Sequence, residues 1–170
     1  MIVRIGQGFD VHPFSDEPGR PLVLGGVVIP GARGLAGHSD ADALSHALAD
    51  AVLGGAALGD LGSHFPDSDP RWAGADSLDL LATVVLRAAA CGLRPLNADC
   101  TLVAAVPRLS PHLPAMARRL TEALGAPVSV KATSPEGLGA LGRGEGIAGL
   151  AVVLLGSLED GSDATSPAPR

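Results

Sequence analysis

Aromatic side chains are almost absent from this 170-residue chain, which has no Tyr, three Phe and one Trp. Apolar residues still make up 46% of the sequence, so the core has to be built from Ala, Val and Leu. The chain also lacks a basic run, and its net charge is −6. Because a nucleic-acid surface needs cationic charge and stacking platforms, this composition argues against nucleic acid as a partner.

Long apolar runs and a signal sequence are missing as well. No stretch approaches the length of a membrane span, and the N-terminus enters a predicted strand directly, so we expect no membrane partner. Two cysteines, Cys91 and Cys100, are predicted to be reduced, buried small hydrophobes. These features favour a cytoplasmic protein whose length fits one domain with a sizeable core.

Apolar periodicity predicts alternating strands and helices. We expect a hairpin at 21–30 that turns at Gly25-Gly26, strands at 2–12, 98–105, 128–133 and 147–155, and helices at 39–59, 77–90 and 111–124. The helices are too few for a doubly wound sheet, so an α+β sandwich with helices on one sheet face fits best. The single domain is expected over 1–156, and the small polar residues of 157–170 predict a disordered tail.

Three side chains form a candidate metal site. Asp10 and His12 are two apart on a predicted strand, so both leave the same face of the sheet. His46, on a predicted helix, supplies a third ligand, and three protein ligands on zinc leave one position open for catalysis. A lone Asp-x-His is a weak signal, and a helical His is more often an ordinary surface or core residue.

Residues 37–42 (GHSDAD) suggest an anion site next to these ligands. The backbone amides of 39–42 are expected to begin a helix, where an anion binds naturally, and His38 and Ser39 add side-chain donors. The alternative role for Ser39 is to cap the helix together with Asp42, as in a capping box. Both roles are compatible.

Further carboxylates lie nearby in the sequence. Asp42 and Asp50 flank His46 at four-residue spacing, so they either support it or form a solvated helix face. Asp60 and Asp67 lie in loops rich in Gly and Pro, where carboxylates cap turns but also bind sugar hydroxyls.

Two later segments carry groups suited to phosphates. Residues 131–136 (KATSPE) place a cation, the hydroxyls of Thr133 and Ser134, and the carboxylate of Glu136 at a strand end. Glu136 offers hard oxygen ligands suited to magnesium. In 142–146 (GRGEG), Arg143 is a planar donor for an anion, although a salt-bridged turn explains the same residues.

Five ordered motifs, spanning residues 2–156, resemble the 2-C-methyl-D-erythritol 2,4-cyclodiphosphate synthases of the non-mevalonate isoprenoid pathway: RIGQGFDVHPF, GLAGHSDADALSHAL, ALGDLGSHFPDSDP, VKATSPEGLG and GRGEGIA. The resemblance implies a homotrimer of ferredoxin-like subunits, each with a mixed sheet, and active sites at the subunit interfaces. It also implies conversion of 4-diphosphocytidyl-2-C-methyl-D-erythritol 2-phosphate to the cyclodiphosphate and CMP, a phosphorus–oxygen lyase reaction.

The resemblance also assigns residue roles. Zinc, or another divalent transition metal, is expected on Asp10, His12 and His46, and magnesium or manganese on Glu136. The remaining catalytic and substrate-binding residues that it implies are His38, Thr133, Ser134, Ser39, Asp60, Gly62, Asp67, Ala104, Arg108, Leu109 and Arg143. An isoprenoid diphosphate would bind Arg143 and Glu145 on the threefold axis.

The sequence departs from the family pattern at a few positions. Arg108 stands where Lys is common and Ser134 where Thr is usual, and both substitutions keep the donor. Ala140-Leu141 replaces a Phe that often lines the axial channel, and Gly149-Leu150 stands where a carboxylate is often found. These two changes bear on the axial ligand and not on catalysis.

Two other functions remain open at this stage. One is a non-catalytic trimer that senses an isoprenoid diphosphate, and the other is a metal-dependent phosphohydrolase. Their products differ: the cyclase gives cyclodiphosphate and CMP, the sensor gives nothing, and the hydrolase gives inorganic phosphate.

Overall fold

A computed structural model describes residues 2–158 of the chain. Its main sheet has four strands in the order β1-β6-β4-β5: β1 (Val3–Pro13), β4 (Leu93–Val103), β5 (Val128–Thr133) and β6 (Gly146–Ser157). β6 is antiparallel to both neighbours, whereas β4 and β5 are parallel, so the sheet is mixed. β1, β4 and β5 therefore run in the same direction.

The strand predictions are confirmed, with one difference in length. β4 begins at Leu93, five residues before the predicted start at 98. The register against β6 shifts between Pro95 and Asn97. Such an irregularity interrupts the two-residue alternation from which a strand is recognised, which explains why the first part of β4 is not predicted.

The predicted hairpin is present as a separate two-stranded sheet. It consists of β2 (Leu22–Leu24) and β3 (Val27–Ile29), joined at Gly25 and Gly26. Both glycines have positive φ, +55° and +69°, as a tight two-residue hairpin turn requires.

The three predicted helices are α1 (Ala43–Gly55), α3 (Ser77–Ala90) and α4 (Leu113–Leu124). The sequence does not predict α2 (Leu61–His64), a 3-10 helix (Pro70–Trp72) or α5 (Gly139–Gly142), because single turns show no apolar period. α1 packs on β1, β6 and β4, while α3 packs on α1 and β4, and α4 on β5. The fold is thus an α+β layer arrangement with a mixed sheet.

Glycines bring α1 unusually close to the sheet. A Cβ atom on Gly6 would lie 1.8 Å from the carbonyl oxygen of Ala51, and one on Gly8 would lie 1.9 Å from that of Ala47. The strand and helix backbones therefore touch directly. This close approach brings the end of β1 near the first turn of α1.

The other face of the sheet carries exposed apolar side chains: Ile5, Phe9, Val11, Leu150 and Val152. Ile5 is 72% exposed and Phe9 54%. Register pairs Phe9 with Leu150 and Gln7 with Val152, so these side chains form one continuous patch, named here the apolar sheet face. Patches of this kind mark interaction surfaces.

Several remaining expectations concern the chain ends and the cysteines. β6 runs to Ser157, and the rest of the predicted tail, 159–170, lies outside the described residues. The prediction for Cys91 is wrong, because it is exposed where α3 ends. Cys100 is buried as predicted, and burial raises the pKa of its thiol to about 12. Within residues 2–158, no helix is both long and apolar enough to cross a membrane.

Candidate metal centre

The chain brings Asp10, His12 and His46 together where the end of β1 meets α1. Asp10 Oδ2 lies 2.9 Å from His12 Nε2 and 3.0 Å from His46 Nδ1, and the two ring nitrogens are 3.2 Å apart. Asp10 and His12 continue the two-residue spacing of Gly6 and Gly8 along β1. Their side chains therefore leave the same face of the strand, the one that packs on α1. The three donor atoms form a compact triangle.

The triangle fits a divalent transition metal. Donor atoms about 2.0–2.1 Å from a tetrahedral zinc lie roughly 3.3 Å from one another, so a small outward movement of the three donors suffices. Two imidazoles and a carboxylate are also the ligand types that zinc prefers. His12 Nδ1 contacts the carbonyl oxygen of Ala36 at 2.8 Å, which leaves Nε2 facing the triangle.

The electrostatics of the cluster are those of coupled opposite charges. Burial disfavours the Asp10 carboxylate, but hydrogen bonds from His12 and His46 outweigh burial and hold the pKa of Asp10 well below its usual range. Burial also disfavours protonated His12, yet its hydrogen bond to Asp10 raises the pKa of His12. In the absence of a metal ion, Asp10 therefore stays ionised and favours a proton on His12.

A cavity of about 410 Å³ opens next to the triangle. Besides the three donors, it is lined by other residues singled out from the sequence: His38, Ser39, Asp50, Gly62 and Asp67. Phe65, Trp72 and Leu80 form its apolar part. A cavity of this size, with polar side chains beside the triangle and an apolar remainder, suits a small phosphorylated molecule.

The predicted start of the helix near Ser39 is wrong, because α1 begins at Ala43. Three of the amides before it already have partners: that of Asp40 donates to Ala75 O, that of Ala41 to Ser39 Oγ, and that of Asp42 to Asp40 Oδ1. These three amides are therefore not free for a ligand. Anion binding by His38 and Ser39 stays a prediction.

The helix cap also differs from the predicted capping box. Asp42, and not Ser39, caps α1, and its Oδ1 accepts from the amides of Leu44 and Ser45. The same carboxylate accepts from the amides of Gly25 and Gly26 in the hairpin turn, at 2.8 and 2.7 Å. Asp42 is fully buried, and burial raises its pKa. This carboxylate fastens the hairpin to α1. Asp42 meets His46 through the backbone, where the His46 amide donates to Asp42 O at 3.0 Å.

Asp50 also has a partner other than His46. It accepts a hydrogen bond from the amide of Leu61 at 2.7 Å, so it joins α1 to α2 while lining the cavity. Asp60 caps α2 by accepting from the amide and hydroxyl of Ser63. Neither carboxylate is simply a solvated charge.

A second group of predicted residues lies at the opposite edge of the sheet. The amide of Ala104 donates to the carbonyl oxygen of Thr133 at 3.2 Å, where β4 and β5 end. Ser134 Oγ accepts from the amide of Glu136, whose φ is +51° and whose side chain is exposed. β1 and β5 are the two edge strands, so about 14 Å, three strand spacings, separates this group from the metal triangle.

The other predicted residues are placed as follows. Leu109 is buried, and exposed Arg108 contacts Ser110 Oγ through Nε. Arg143 and Glu145 form an ion pair, with Nε and Oε1 2.5 Å apart. The salt-bridged turn considered from the sequence is therefore present. Among the residues described, none of this second group lines the metal cavity.

Sequence reasoning missed residues that organise the site from a distance. Arg20 donates to the carbonyl oxygens of Leu35, Gly37 and Ser39, at 2.6, 2.9 and 2.6 Å, and so shapes the loop before α1. Ser77 lies 2.8 Å from His46 Nε2. Neither Arg20 nor Ser77 belongs to a local sequence pattern that would signal these long-range contacts.

The fold and the cluster together define an α+β domain with a candidate divalent-metal centre at the wall of a cavity. The chain belongs to the YgbB family, whose model matches residues 3–156. It is 57% identical over 163 residues to 2-C-methyl-D-erythritol 2,4-cyclodiphosphate synthase from Moorella thermoacetica, which covers 94% of this chain and 99% of the relative.

Solved structures share the fold. One is a 2C-methyl-D-erythritol-2,4-cyclodiphosphate synthase in a CDP-bound form, 39% identical, with a TM-score of 0.81 over 90% of this chain and 100% of the other. Another is the bifunctional IspDF from Campylobacter jejuni, 40% identical, with a TM-score of 0.85 over 91% of this chain. This chain spans 42% of the length of that bifunctional protein.

Proposed function

We propose that this chain is a 2-C-methyl-D-erythritol 2,4-cyclodiphosphate synthase, which converts 4-diphosphocytidyl-2-C-methyl-D-erythritol 2-phosphate to the cyclodiphosphate and CMP. The observation that carries the proposal is the donor triangle of Asp10, His12 and His46 at the wall of a cavity of about 410 Å³. Relatives of the same name and the CDP-bound neighbour support the substrate class.

The reaction needs positioning more than acid–base chemistry. An oxygen of the substrate's 2-phosphate forms a bond to the β-phosphorus, and the bond from that phosphorus to the oxygen shared with the α-phosphate breaks. The shared oxygen leaves on CMP, so charge and atoms balance without a separate nucleophile. Because the attacking group is already an anion, the main task is to hold two phosphates that repel each other.

The residues of the chain divide this task. Asp10, His12 and His46 would hold zinc or another divalent transition metal, and Glu136 magnesium or manganese. A bound divalent ion supplies Lewis-acid stabilisation of phosphate charge. Ser39 and His38, both lining the cavity, orient the phosphates through side-chain donors, and Asp67 binds a hydroxyl of the methylerythritol.

The groups for the nucleotide lie in two places. Asp60 and Gly62, assigned to the ribose, lie at α2 beside the metal cavity. Residues 104–109, which take the cytosine with Arg108 at their surface, follow β4 toward the other edge of the sheet. Thr133 and Ser134 contact the α-phosphate. Because about 14 Å separates this edge from the metal triangle, one subunit alone does not enclose the whole substrate.

A homotrimer of ferredoxin-like subunits accounts for this separation. The apolar sheet face provides the surface for association, and neighbouring subunits then place one metal triangle beside another subunit's β5 edge. Cores built from small side chains gain further from burying surface between subunits. A cytoplasmic location stays a prediction from the sequence.

The trimer is tested by placing a charge on this face. Phe9→Asp, at a 54% exposed position, should dissociate the protein in analytical ultracentrifugation and abolish CMP release while zinc binding persists. Leu86→Asp is the matched control, because Leu86 is a 71% exposed apolar residue of α3, away from the sheet. A trimer that survives Phe9→Asp with full activity would remove this face from the interface.

The proposed axial ligand would meet the ion pair of Arg143 and Glu145. Arg143 is already paired with Glu145, which neutralises part of the charge that an isoprenoid diphosphate would meet. Three such pairs around a threefold axis still offer guanidinium donors, because each Arg143 uses only Nε in the pair. Geranyl diphosphate titrated into the purified protein tests this, with heat of binding expected and Arg143→Ala as the variant that should lose it.

The function is tested by measuring CMP release from the diphosphocytidyl substrate, with and without chelator. His46→Ala should lose bound zinc and reduce CMP release by more than about 100-fold. Removing a hydrogen-bond partner of a metal ligand already costs about 10–100-fold, and removing the ligand itself should cost more. His112→Ala is the matched control, since this histidine precedes α4 and makes no side-chain capping bond.

The products separate the remaining functions. Cyclodiphosphate with CMP supports the cyclase, whereas release of inorganic phosphate indicates the phosphohydrolase. No product from a folded, zinc-loaded trimer refutes the enzyme and leaves the binding protein.

A further inference from the structure

The two ring nitrogens of His46 face different neighbours. Nδ1 points into the donor triangle, 3.0 Å from Asp10 Oδ2. Nε2 points away from it, 2.8 Å from Ser77 Oγ and 3.1 Å from Ser39 Oγ. Only a nitrogen that lacks a proton can bind a metal ion. In the metal-free structure Asp10 accepts from Nδ1, so when a metal takes that position the groups around Nε2 have to hold the remaining proton.

The proton of the Ser77 hydroxyl is already committed. Ser77 Oγ donates to Asp40 Oδ1, and the amide of Ser77 donates to Asp40 Oδ2 at 3.2 Å. A carboxylate has only acceptors, so the hydroxyl proton has to lie on the Asp40 side. Ser77 Oγ therefore presents a lone pair to His46, and Nε2 has to carry the proton that joins them.

Ser39 does not reverse this conclusion. Its Oγ accepts from the amide of Ala41 at 3.2 Å, and its distance to His46 Nε2 is longer than that of Ser77. If Ser39 donated to Nε2, that nitrogen would carry a lone pair and would face the lone pair of Ser77 at 2.8 Å. Two acceptors at that distance repel each other, so the arrangement with a proton on Nε2 is favoured.

We propose that Asp40 and Ser77 are positioning residues that hold His46 as its Nε2–H tautomer and keep Nδ1 open for the metal. The relay runs from Asp40 in the loop before α1, through Ser77 at the start of α3, to His46 on α1. Ser77 is 1% exposed, so water does not compete for its hydroxyl. This inference rests on the metal site of the proposed function and adds residues that fix its ligand.

Metal affinity is the first test. Zinc is titrated into metal-free protein in competition with a chromophoric chelator, for wild type, Ser77→Ala and Asp40→Ala. We expect both variants to bind zinc about 10–100-fold more weakly, as loss of an outer partner of a ligating histidine does. Wild-type affinity in a folded Ser77→Ala protein would overturn the proposal.

Ser45→Ala is a matched control. Ser45 is also buried, lies next to His46 in α1, and donates its hydroxyl to an aspartate, Asp42, at 2.7 Å. It does not contact the imidazole of His46. We expect its zinc affinity to stay within about threefold of wild type. An equal loss in Ser45→Ala would mean that general loosening of α1 explains the result, and the relay would be rejected.

¹⁵N spectra of His46 in zinc-loaded protein give a second test, because zinc replaces the proton that Nδ1 shares with Asp10 in the metal-free protein. We expect a proton on Nε2 of the wild-type protein that is protected from exchange with solvent. In zinc-loaded Asp40→Ala this proton should exchange faster, because Ser77 Oγ is no longer held as its acceptor. A wild-type Nε2 proton that exchanges as fast as that of Asp40→Ala, or zinc bound to Nε2, refutes the inference.

The two proposals fail in different ways. If wild-type protein binds zinc and releases CMP while Ser77→Ala does the same, only the relay is wrong. If wild-type protein releases no CMP, the enzyme assignment fails, whereas the tautomer of His46 still decides the relay.

Discussion

Gly8 is the position at which one methyl group should damage the metal centre without touching a ligand. A Cβ atom there would lie 1.9 Å from the carbonyl oxygen of Ala47, whereas real Cβ atoms essentially never come within 3.0 Å of such an atom. Both partners are backbone, so no side chain can rotate away. For Gly8→Ala, β1 and α1 have to separate by at least the difference, about 1.1 Å.

That movement acts directly on the donor triangle. Asp10 lies two residues beyond Gly8 on β1, and His46 precedes Ala47 on α1, so the separation of strand and helix becomes a separation of ligands. Metal sites tolerate errors of only about 0.2 Å in ligand distance. We therefore expect zinc affinity to fall by about 10–100-fold and the free energy of unfolding to fall by about 1–3 kcal/mol.

The assay combines chelator competition for zinc with urea unfolding of the metal-free protein. Gly54→Ala is the control in the same helix, because a Cβ there meets only Gln7 O, at 3.8 Å. This control should keep its zinc affinity and gain about 0.5–1 kcal/mol, since alanine favours the helix over glycine. Comparing the two variants distinguishes the effect of the steric overlap with Ala47 O from the effect of replacing any glycine by alanine.

The result that refutes this reasoning is a folded Gly8→Ala protein with wild-type zinc affinity. If that variant is insoluble, Gly149→Ala replaces it, because its Cβ would lie 2.4 Å from the carbonyl oxygen of Ala43, a smaller overlap on the same helix. Retained affinity there would show that close backbone contact does not set the ligand geometry.

Three further outcomes follow from particular contacts. Burial alone would lower the pKa of His12, but its bond to Asp10 raises that pKa above the usual value for histidine. Calorimetry at decreasing pH should therefore show that zinc affinity begins to fall before an ordinary histidine is protonated, because protons compete with the metal. Asp42→Ala should lower the free energy of unfolding in urea by about 3 kcal/mol or more, because it leaves several buried donors unpaired. A decrease below about 1 kcal/mol would contradict this. Arg20→Lys should lower kcat for CMP release about tenfold, because an ammonium group does not bridge the three carbonyl groups of residues 35–39. An unchanged kcat would show that the loop does not need these hydrogen bonds.

The elements were predictable where local chemistry decides them. α3 begins and ends as predicted, at 77 and 90, because its apolar positions recur at helical spacing. The hairpin turn was predictable from Gly25-Gly26, because two positive φ angles favour glycine. The pairing of Asp10 with His12 was predictable from strand alternation, which places both side chains on one face.

Contacts between elements were not predictable in the same way. Ser39 fits the local capping rule, yet Asp42 caps α1 because it also binds the hairpin amides of Gly25 and Gly26, 17 and 16 residues earlier. The partner of His46 is Ser77, 31 residues later, because α1 and α3 lie side by side. No local pattern encodes such a contact, so the sequence predicts the ligand but not its support.

The two halves of the site differ in what they need from the rest of the protein. The metal triangle depends on contacts within one chain: the glycines of β1, the cap at Asp42 and the hydroxyl of Ser77. The nucleotide groups around Thr133 are held by the β4–β5 edge, three strands away. Metal affinity should therefore be a property of the subunit. In the proposed trimer, turnover would depend on bringing one subunit's triangle to another subunit's β5 edge, so that association would complete the active site as well as stabilise the fold.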